Sequence, residues 1–313
     1  MPLAKNSPPR IAFLSAHVSG LVKLEYLLRH GFRPCAVISI SPELAVKNKV
    51  AGYVDFRSIA EKHGIPYRCV DQFTLGGAED LAYFVEQKFG VLLISGWQRI
   101  VPDQVLQQLG IGAIAEHGSG DYLPRGRGRA PIGWSMVKGQ TRFVLHLFKA
   151  SPGVDDGPVL DFKSFDINPH DTIATVYYKV GICSAQLFLR NQAALLAGSV
   201  AWKQEAKVEP TYFPKRTDAD DFINWNGTTA EIHNHIRASS SPYPRAKARI
   251  GEHILSIETA APFDQQLDFF TEAIGEILAV FPDRSLLVKT TDGTLLIKQY
   301  ECDGAVEPGM CLV

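Results

Sequence analysis

The run Val91-Leu92-Leu93-Ile94 has no polar position on either face. A strand exposed on one side alternates apolar with polar residues, so such a run belongs inside a sheet that helices cover on both faces. Comparable short runs occur at Arg10-Ile11-Ala12-Phe13-Leu14, Pro34–Ile40 and Ile65–Val70. Between them lie segments with helical spacing. In Ser19–His30 the apolar positions Leu21, Leu24, Leu27 and Leu28 recur at helical intervals and Gly31 ends the helix; Phe56–His63 and Gly77–Phe89 follow. This alternation predicts an α/β fold with a doubly wound, mostly parallel sheet. Ile111–Glu116 and Phe143–Lys149 extend that sheet, and Asp171–Leu196 reads as a long helix.

A chain of 313 residues is long for one ordinary domain, and its character changes after Trp202. Lys203–Asp221 is polar and contains prolines, as a linker does, and a short helix is expected around Thr229–Ala238. From Arg249 onward short strands alternate with turns, Asp292-Gly293 being a hairpin signal. That pattern predicts a smaller, OB-like β-barrel domain, with boundaries at 1–205 and 206–313.

Composition removes several classes. The formal net charge is −1, without the overall basic balance of a dedicated nucleic-acid binder, although local patches stay open. The five cysteines, Cys35, Cys69, Cys183, Cys302 and Cys311, form no C-x-x-C pair, which fits a reducing, cytoplasmic setting without a zinc knuckle or disulfide framework. No stretch reaches the ~18 apolar residues of a membrane span, and no apolar core of a signal peptide follows the first basic residues. The first turn, Ser15–Gly20, lacks G-x-G-x-x-G, which disfavours a nicotinamide cofactor. Asp161, His146, His170 and Glu116 show no metal-ligand spacing, so no metal is expected.

Residues 117–158 carry the chemistry. An imidazole, His117, ends a buried-looking strand; a Gly/Arg-rich loop follows, then a helical stretch, an apolar strand, and Asp155 in the turn Gly153-Val154-Asp155-Asp156-Gly157-Pro158. An imidazole and a carboxylate brought together at strand ends form a proton-handling pair, although a lone histidine is as readily a core residue and an Asp-Gly turn as readily local turn chemistry. Arg125, Arg127 and Arg129 either grip a phosphate-bearing substrate or cap strands and helices. Trp97 and Trp134 read as core aromatics.

Gly96-Trp97-Gln98-Arg99-Ile100-Val101-Pro102, the strand Gly112–His117, the segment Leu123–Trp134 and Gly153–Leu160 occur in the order, and nearly the spacing, of the folate-dependent formyltransferases, which the chain resembles. That family includes methionyl-tRNA formyltransferase and sugar N-formyltransferases. The segments Phe222–Asn226, Ala230–Pro244 and Leu295–Glu301 resemble its C-terminal domain. The resemblance implies transfer of a formyl group from 10-formyltetrahydrofolate to a primary amine, with His117 and Asp155 catalytic. It places the pterin against Gln98, Arg99, Ile100 and Val101, with Pro152, Gly153 and Val154 on the facing loop, and puts Arg127 at the family's R-G position. Two departures stand out. Ala115 occupies the position of the family's Asn, and His117 lies seven residues before Pro124 where the family has about five. A gapped alignment keeps His117 as the base. An ungapped one would put His117 in the Asn position and Ser119 in the His position. The gapped reading is preferred because Gly112-Ala113-Ile114 matches the strand before the site, and Ser119 or a main-chain N–H of the longer loop then becomes a candidate substitute donor. Residues 41–52 hold only Lys47 and Lys49 and lack the basic insert of the methionyl-tRNA members, so a small amine such as a nucleotide-linked amino sugar is the expected acceptor. Methionyl-tRNA, hydrolysis of the folate, or a non-catalytic folate binder are the alternatives.

Overall fold

The structure, a computed structural model, describes residues 8–313. It divides into two compact units: one holds the residues up to Gly128 with Val144–Phe165 and Tyr177–Tyr212, the other Arg129–Phe143, Asp166–Val176 and Phe213–Val313.

In chain order the elements are β1 (Ile11–Leu14), α1 (Val18–Arg29), β2 (Ala36–Ser39), α2 (Pro42–Lys47), α3 (Arg57–Lys62), β3 (Tyr67–Cys69), α4 (Ala78–Gln87), β4 (Val91–Ile94), α5 (Asp103–Leu106) and β5 (Gly112–Ser119). Then come β6 (Arg127–Gly128), α6 (Pro131–Val137), β7 (Arg142–Lys149), β8 (Val159–Asp166), α7 (Ile173–Leu196) and β9 (Tyr212–Phe213). The last are α8 (Thr229–Ser239), β10 (Ala246–Ile250), β11 (His253–Asp264), β12 (Ile277–Val280), β13 (Leu286–Lys289) and β14 (Thr294–Cys302).

The sheet of the first unit has the order β3-β2-β1-β4-β5-β7-β8. Strands β1 to β5 are parallel and β7 runs antiparallel to β5, as the apolar runs predicted for a mostly parallel sheet. All four residues of β4 are buried, and it pairs with β1 from Ile11↔Val91 to Leu14↔Ile94. The chain steps from β1 toward β2 and β3 on one side, and β4 lies on the other. The carboxyl ends of β1 and β4 therefore flank the switch point at which open α/β sheets bind ligands. Gly96 turns the chain there with φ +59°, and a Cβ on it would lie 2.6 Å from the Cβ of His17, so the loop passes close against the β1 end.

A buried ion pair joins α1 to β5. Lys23 is wholly buried and its Nζ is 3.0 Å from Glu116 Oε2. The Ser95 hydroxyl donates to Glu116 Oε1 at 2.7 Å, and Ser184 of α7 donates to Oε2. Burial pushes the Lys23 ammonium below its ordinary range, and the carboxylate opposes that. Because side chains alternate along a strand, anchoring Glu116 on one face fixes what Ala115 and His117 present on the other.

Strand β5 is longer than the expected Ile111–Glu116: its pairing with β7 continues through His117↔His146 to Ser119↔Val144. His117 therefore lies within the strand, not beyond its end. The expected linker is also tied down. Lys203 exchanges two main-chain hydrogen bonds with Val159, at 2.8 and 2.9 Å, and Thr211 accepts from the Arg127 N–H at 2.9 Å. Polar side chains in this stretch conceal main-chain pairing, which composition does not report.

The second unit holds a five-stranded antiparallel sheet of order β10-β11-β14-β13-β12. The last residues of the chain bridge its two edges. Arg249 and Val313 exchange hydrogen bonds of 2.7 and 2.9 Å, while Leu312 donates to Gly275 at 2.8 Å and Ile277 to Met310 at 2.8 Å. The expected barrel is therefore a sheet closed by the C-terminal segment around Ile250, Leu255, Ile257, Ile277, Val288, Ile297 and Leu312. Residues 129–143 and 166–176 also belong to this unit, which the contiguous boundary at 205/206 does not capture. The cause is packing: α6 lies against α8, and the Arg237 guanidinium donates to the carbonyls of Asn168 and Asp171 at 3.0 and 3.1 Å. Among the described residues no helix is long and apolar enough to cross a membrane.

Removing one member of a buried ion pair strands the other. Lys23→Met should cost about 3–5 kcal/mol in urea unfolding, and Lys23→Met with Glu116→Gln should cost less than the sum of the two single changes. Strict additivity would show that the two groups do not depend on each other.

Candidate active site

Strand β5 and the turn after β7 bring the expected pair together. His117 Nδ1 is 3.2 Å from Asp155 Oδ2. The same carboxylate oxygen accepts the Gly128 N–H at 3.1 Å. Asp155 has φ +51°, the left-handed region that non-glycine residues seldom occupy, so its backbone holds a strained conformation while the carboxylate is turned to the ring. At Gly153, two residues earlier, the Asp156 carboxylate stands where a Cβ would lie, so any larger residue would displace it; that carboxylate in turn takes the Ser151 hydroxyl.

The other ring nitrogen, Nε2, is 2.7 Å from the carbonyl oxygen of Gly126. A carbonyl can only accept, so Nε2 carries the proton in this arrangement and has no lone pair to offer a substrate. His117 is 8% exposed. The loop between β5 and β6 thus closes over its own imidazole. A groove of about 530 Å³ between α1 and α3, lined by Leu21, Glu25, Lys62 and His63 among others, does not include the pair.

The remaining candidates divide. Ser119 is buried, and its hydroxyl donates to the Asp121 carbonyl and accepts the Asp121 N–H, both at 3.1 Å; it does not meet Asp155. Arg127 is turned away from solvent: its guanidinium pairs with Glu205 and reaches the Tyr212 hydroxyl at 3.3 Å. Burial outweighs that pairing at Glu205 and raises its carboxyl above the ordinary range. Ala115 sits two residues before His117 on the same strand face, so nothing polar extends from that position. Among the described residues no group of three His, Cys, Asp or Glu could hold a metal.

The segment after β4 spans the switch point. Gln98 Nε2 donates to the Ala51 carbonyl at 3.1 Å, Arg99 reaches Asn48 at 3.3 Å and lies 4.6 Å over the Phe73 ring, Val101 is buried, and Ile100 is exposed. Trp97 packs edge-on to Phe73 at 4.8 Å, and its indole N–H is buried without a partner. Val154 is exposed on the other loop. Next to the segment stands His17 at the N-cap of α1, its Nδ1 2.9 Å from the Ser19 hydroxyl. Burial pulls its pKa down to about 4, so it is neutral at ordinary pH. Sequence reasoning missed His17, Glu205 and the glycine carbonyl and amide at 126 and 128. Only the last two had a signal, the glycines interleaved with arginines.

Comparison with known proteins adds to this geometry. The family model for formyl transferase matches residues 34–191, and that for the formyl transferase C-terminal domain matches residues 215–306. Among solved structures, HypX from Aquifex aeolicus in complex with tetrahydrofolic acid superposes with TM-score 0.66 at 19% identity, over 94% of this chain and 44% of that one. This chain therefore spans less than half of HypX. The N-formyltransferase from Helicobacter canadensis, in complex with folinic acid and dTDP-3-aminofucose, gives 0.64 at 18% identity over 94% and 100% of the chains. Methionyl-tRNA formyltransferase from Clostridium thermocellum gives 0.57 at 15% over 81% and 93%. At these identities the likeness establishes a shared fold.

Because Arg127 and Glu205 are mutually buried, Arg127→Leu should lower stability by about 3 kcal/mol, with Glu205→Gln less costly. A raised KM with unchanged melting would instead mean that the guanidinium swings out to grip substrate.

Proposed function

The chain belongs to the formyl transferase family, and we propose that it moves a formyl group from 10-formyltetrahydrofolate to the primary amine of a small acceptor, such as a nucleotide-linked amino sugar. The observation that carries this reading is the His117–Asp155 pair, 3.2 Å apart on β5 and the turn after β7. Attack of an amine on a formyl carbon requires loss of a proton from nitrogen, and an imidazole held by a carboxylate can take it. Asp155 orients the ring through Nδ1, leaving Nε2 to face the amine once the Gly126 carbonyl has moved aside. His117 then holds the amine's proton and can return it to the departing nitrogen as the new C–N bond replaces the old one.

The residues present fit the donor. Among the described residues no main-chain N–H of Gln98–Val101 donates to another backbone carbonyl, and the Trp97 indole N–H beside them is unpartnered. A flat heteroaromatic ring with donors and acceptors along its edge suits a segment of this kind, beside the apolar Val101 and the exposed Ile100. Bound there, 10-formyltetrahydrofolate would supply a formyl carbon already attached to a leaving nitrogen. Of the relatives, the Helicobacter enzyme was solved with a folate and a nucleotide-linked amino sugar, which supports that acceptor class. Residues 41–52 support it as well: they form the short α2 with only Lys47 and Lys49, too few cations to hold a polyphosphate backbone.

The test is tetrahydrofolate release across amino sugars, amino acids and charged tRNA. Release that depends on an amino sugar is expected; release only with charged tRNA, or without any amine, would contradict the proposal. His117→Ala and Asp155→Ala should each lower turnover by ~10²-fold or more with melting unchanged.

The Ala115 position yields a second expectation. Ser119 is committed to Asp121, so the closed loop does not offer that hydroxyl to the formyl oxygen. An oxyanion donor is worth ~10²–10³ in rate, so Ala115→Asn should raise turnover. No gain, together with loss of activity on shortening Gly118–Asp121 by two residues, would show that the loop itself supplies the donor when it opens.

A further inference from the structure

His117 has a second imidazole directly opposite it. In the β5–β7 ladder His117 pairs with His146, so both side chains stand on the same sheet face. His146 is 3% exposed. Its Nε2 accepts the Leu123 N–H at 3.4 Å, which places the ring proton on Nδ1. Nδ1 is buried without a hydrogen-bond partner. The ring is enclosed edge-on by Tyr122 at 6.0 Å and tilted against Phe162 at 5.7 Å. Burial, reinforced by repulsion from His117, holds its pKa down to about 4, so the ring remains a neutral acceptor when His117 gains a proton.

We infer that His146 is a positioning residue for His117: it ties Leu123, in the loop that covers the site, to the strand opposite the catalytic imidazole. The proposed chemistry gives this contact its purpose. The loop that begins after His117 ends at Gly126 and Gly128, whose carbonyl and amide meet His117 and Asp155. Leu123 is near the middle of that loop; its own side chain packs with Phe148 and Val159, and the His146 ring adds the polar contact that holds its main chain to the sheet. Within the loop, Arg125 N–H donates to the Tyr122 carbonyl at 3.0 Å, so movement at Leu123 carries on toward Gly126. Without the anchor the Gly126 carbonyl and the His117 ring lose their fixed relation, both in the closed state and when the loop returns after turnover.

The inference rests on the formyl-transfer reading, and the experiment separates the two. His146→Leu fills the space without an acceptor. His146→Gln can accept from the Leu123 N–H through its amide oxygen. We expect His146→Leu to lower kcat by about 10–100-fold, the scale of an ångström-sized misplacement of a catalytic group, with KM and folinic acid affinity within about threefold of wild type. His146→Gln should recover kcat to within about threefold at equal melting temperature. Wild-type kcat in His146→Leu would overturn the inference, as would equal losses in both variants that follow a common fall in melting temperature. A readout that needs no turnover is nitrogen-15 NMR of the histidines. His146 should be the neutral Nδ1–H tautomer between roughly pH 5 and 8, and its loss in His146→Leu should shift the His117 ring resonances. An Nε2–H tautomer, or a His117 signal indifferent to the substitution, would refute positioning even if wild type transferred no formyl group at all.

Discussion

Glu116 anchors the strand on which everything else at the site depends. One face of β5 carries this carboxylate, held by Lys23, Ser95 and Ser184 from three neighbouring elements. The opposite face carries Ala115 and His117. Strand periodicity converts the first constraint into the second: a one-residue slip would send the charged group to the site and the imidazole into the buried cluster. A buried ion pair is a poor source of net stability, but it is an effective register mark, because every misaligned alternative leaves a charge without a partner.

That arrangement explains how much of the molecule was legible in its residues. The all-apolar run at Val91–Ile94 and the leucine spacing of α1 specify a covered parallel sheet, since burial on two faces leaves a one-dimensional mark. The pairing of His117 with Asp155 was legible through the resemblance and the turn chemistry around Gly153. What could not be read depends on long-range pairing. The extension of β5 to Ser119 requires β7 as partner, and nothing in the Gly-Ser-Gly sequence after His117 announces a strand. Lys203–Asp221 looks like a linker because its side chains are polar, while Lys203 and Thr211 within it are main-chain bonded to Val159 and Arg127. The assignment of residues 129–143 and 166–176 to the second unit follows from Arg237 and α8, far along the chain.

The longer loop and the missing amide belong together. In this structure the loop's Gly126 carbonyl occupies the nitrogen of His117 that the proposed reaction needs, and Ala115 provides no fixed donor for a formyl oxygen. Under the proposed reaction, both features describe a site that is complete only after the loop moves. Arg127, which the resemblance suggests for substrate, is tied to Glu205 in the same region and serves the loop's far anchor.

The most direct test of the central claim is a crystal structure with folinic acid and a nucleotide-linked amino sugar bound together. The account predicts the folate between Gln98–Val101 and Pro152–Asp155, the acceptor nitrogen within about 3–3.5 Å of both the formyl carbon and His117 Nε2, and the Gly126 carbonyl withdrawn from the ring. Folate bound elsewhere, or a bound acceptor with the Gly126 to His117 hydrogen bond still in place, would contradict it.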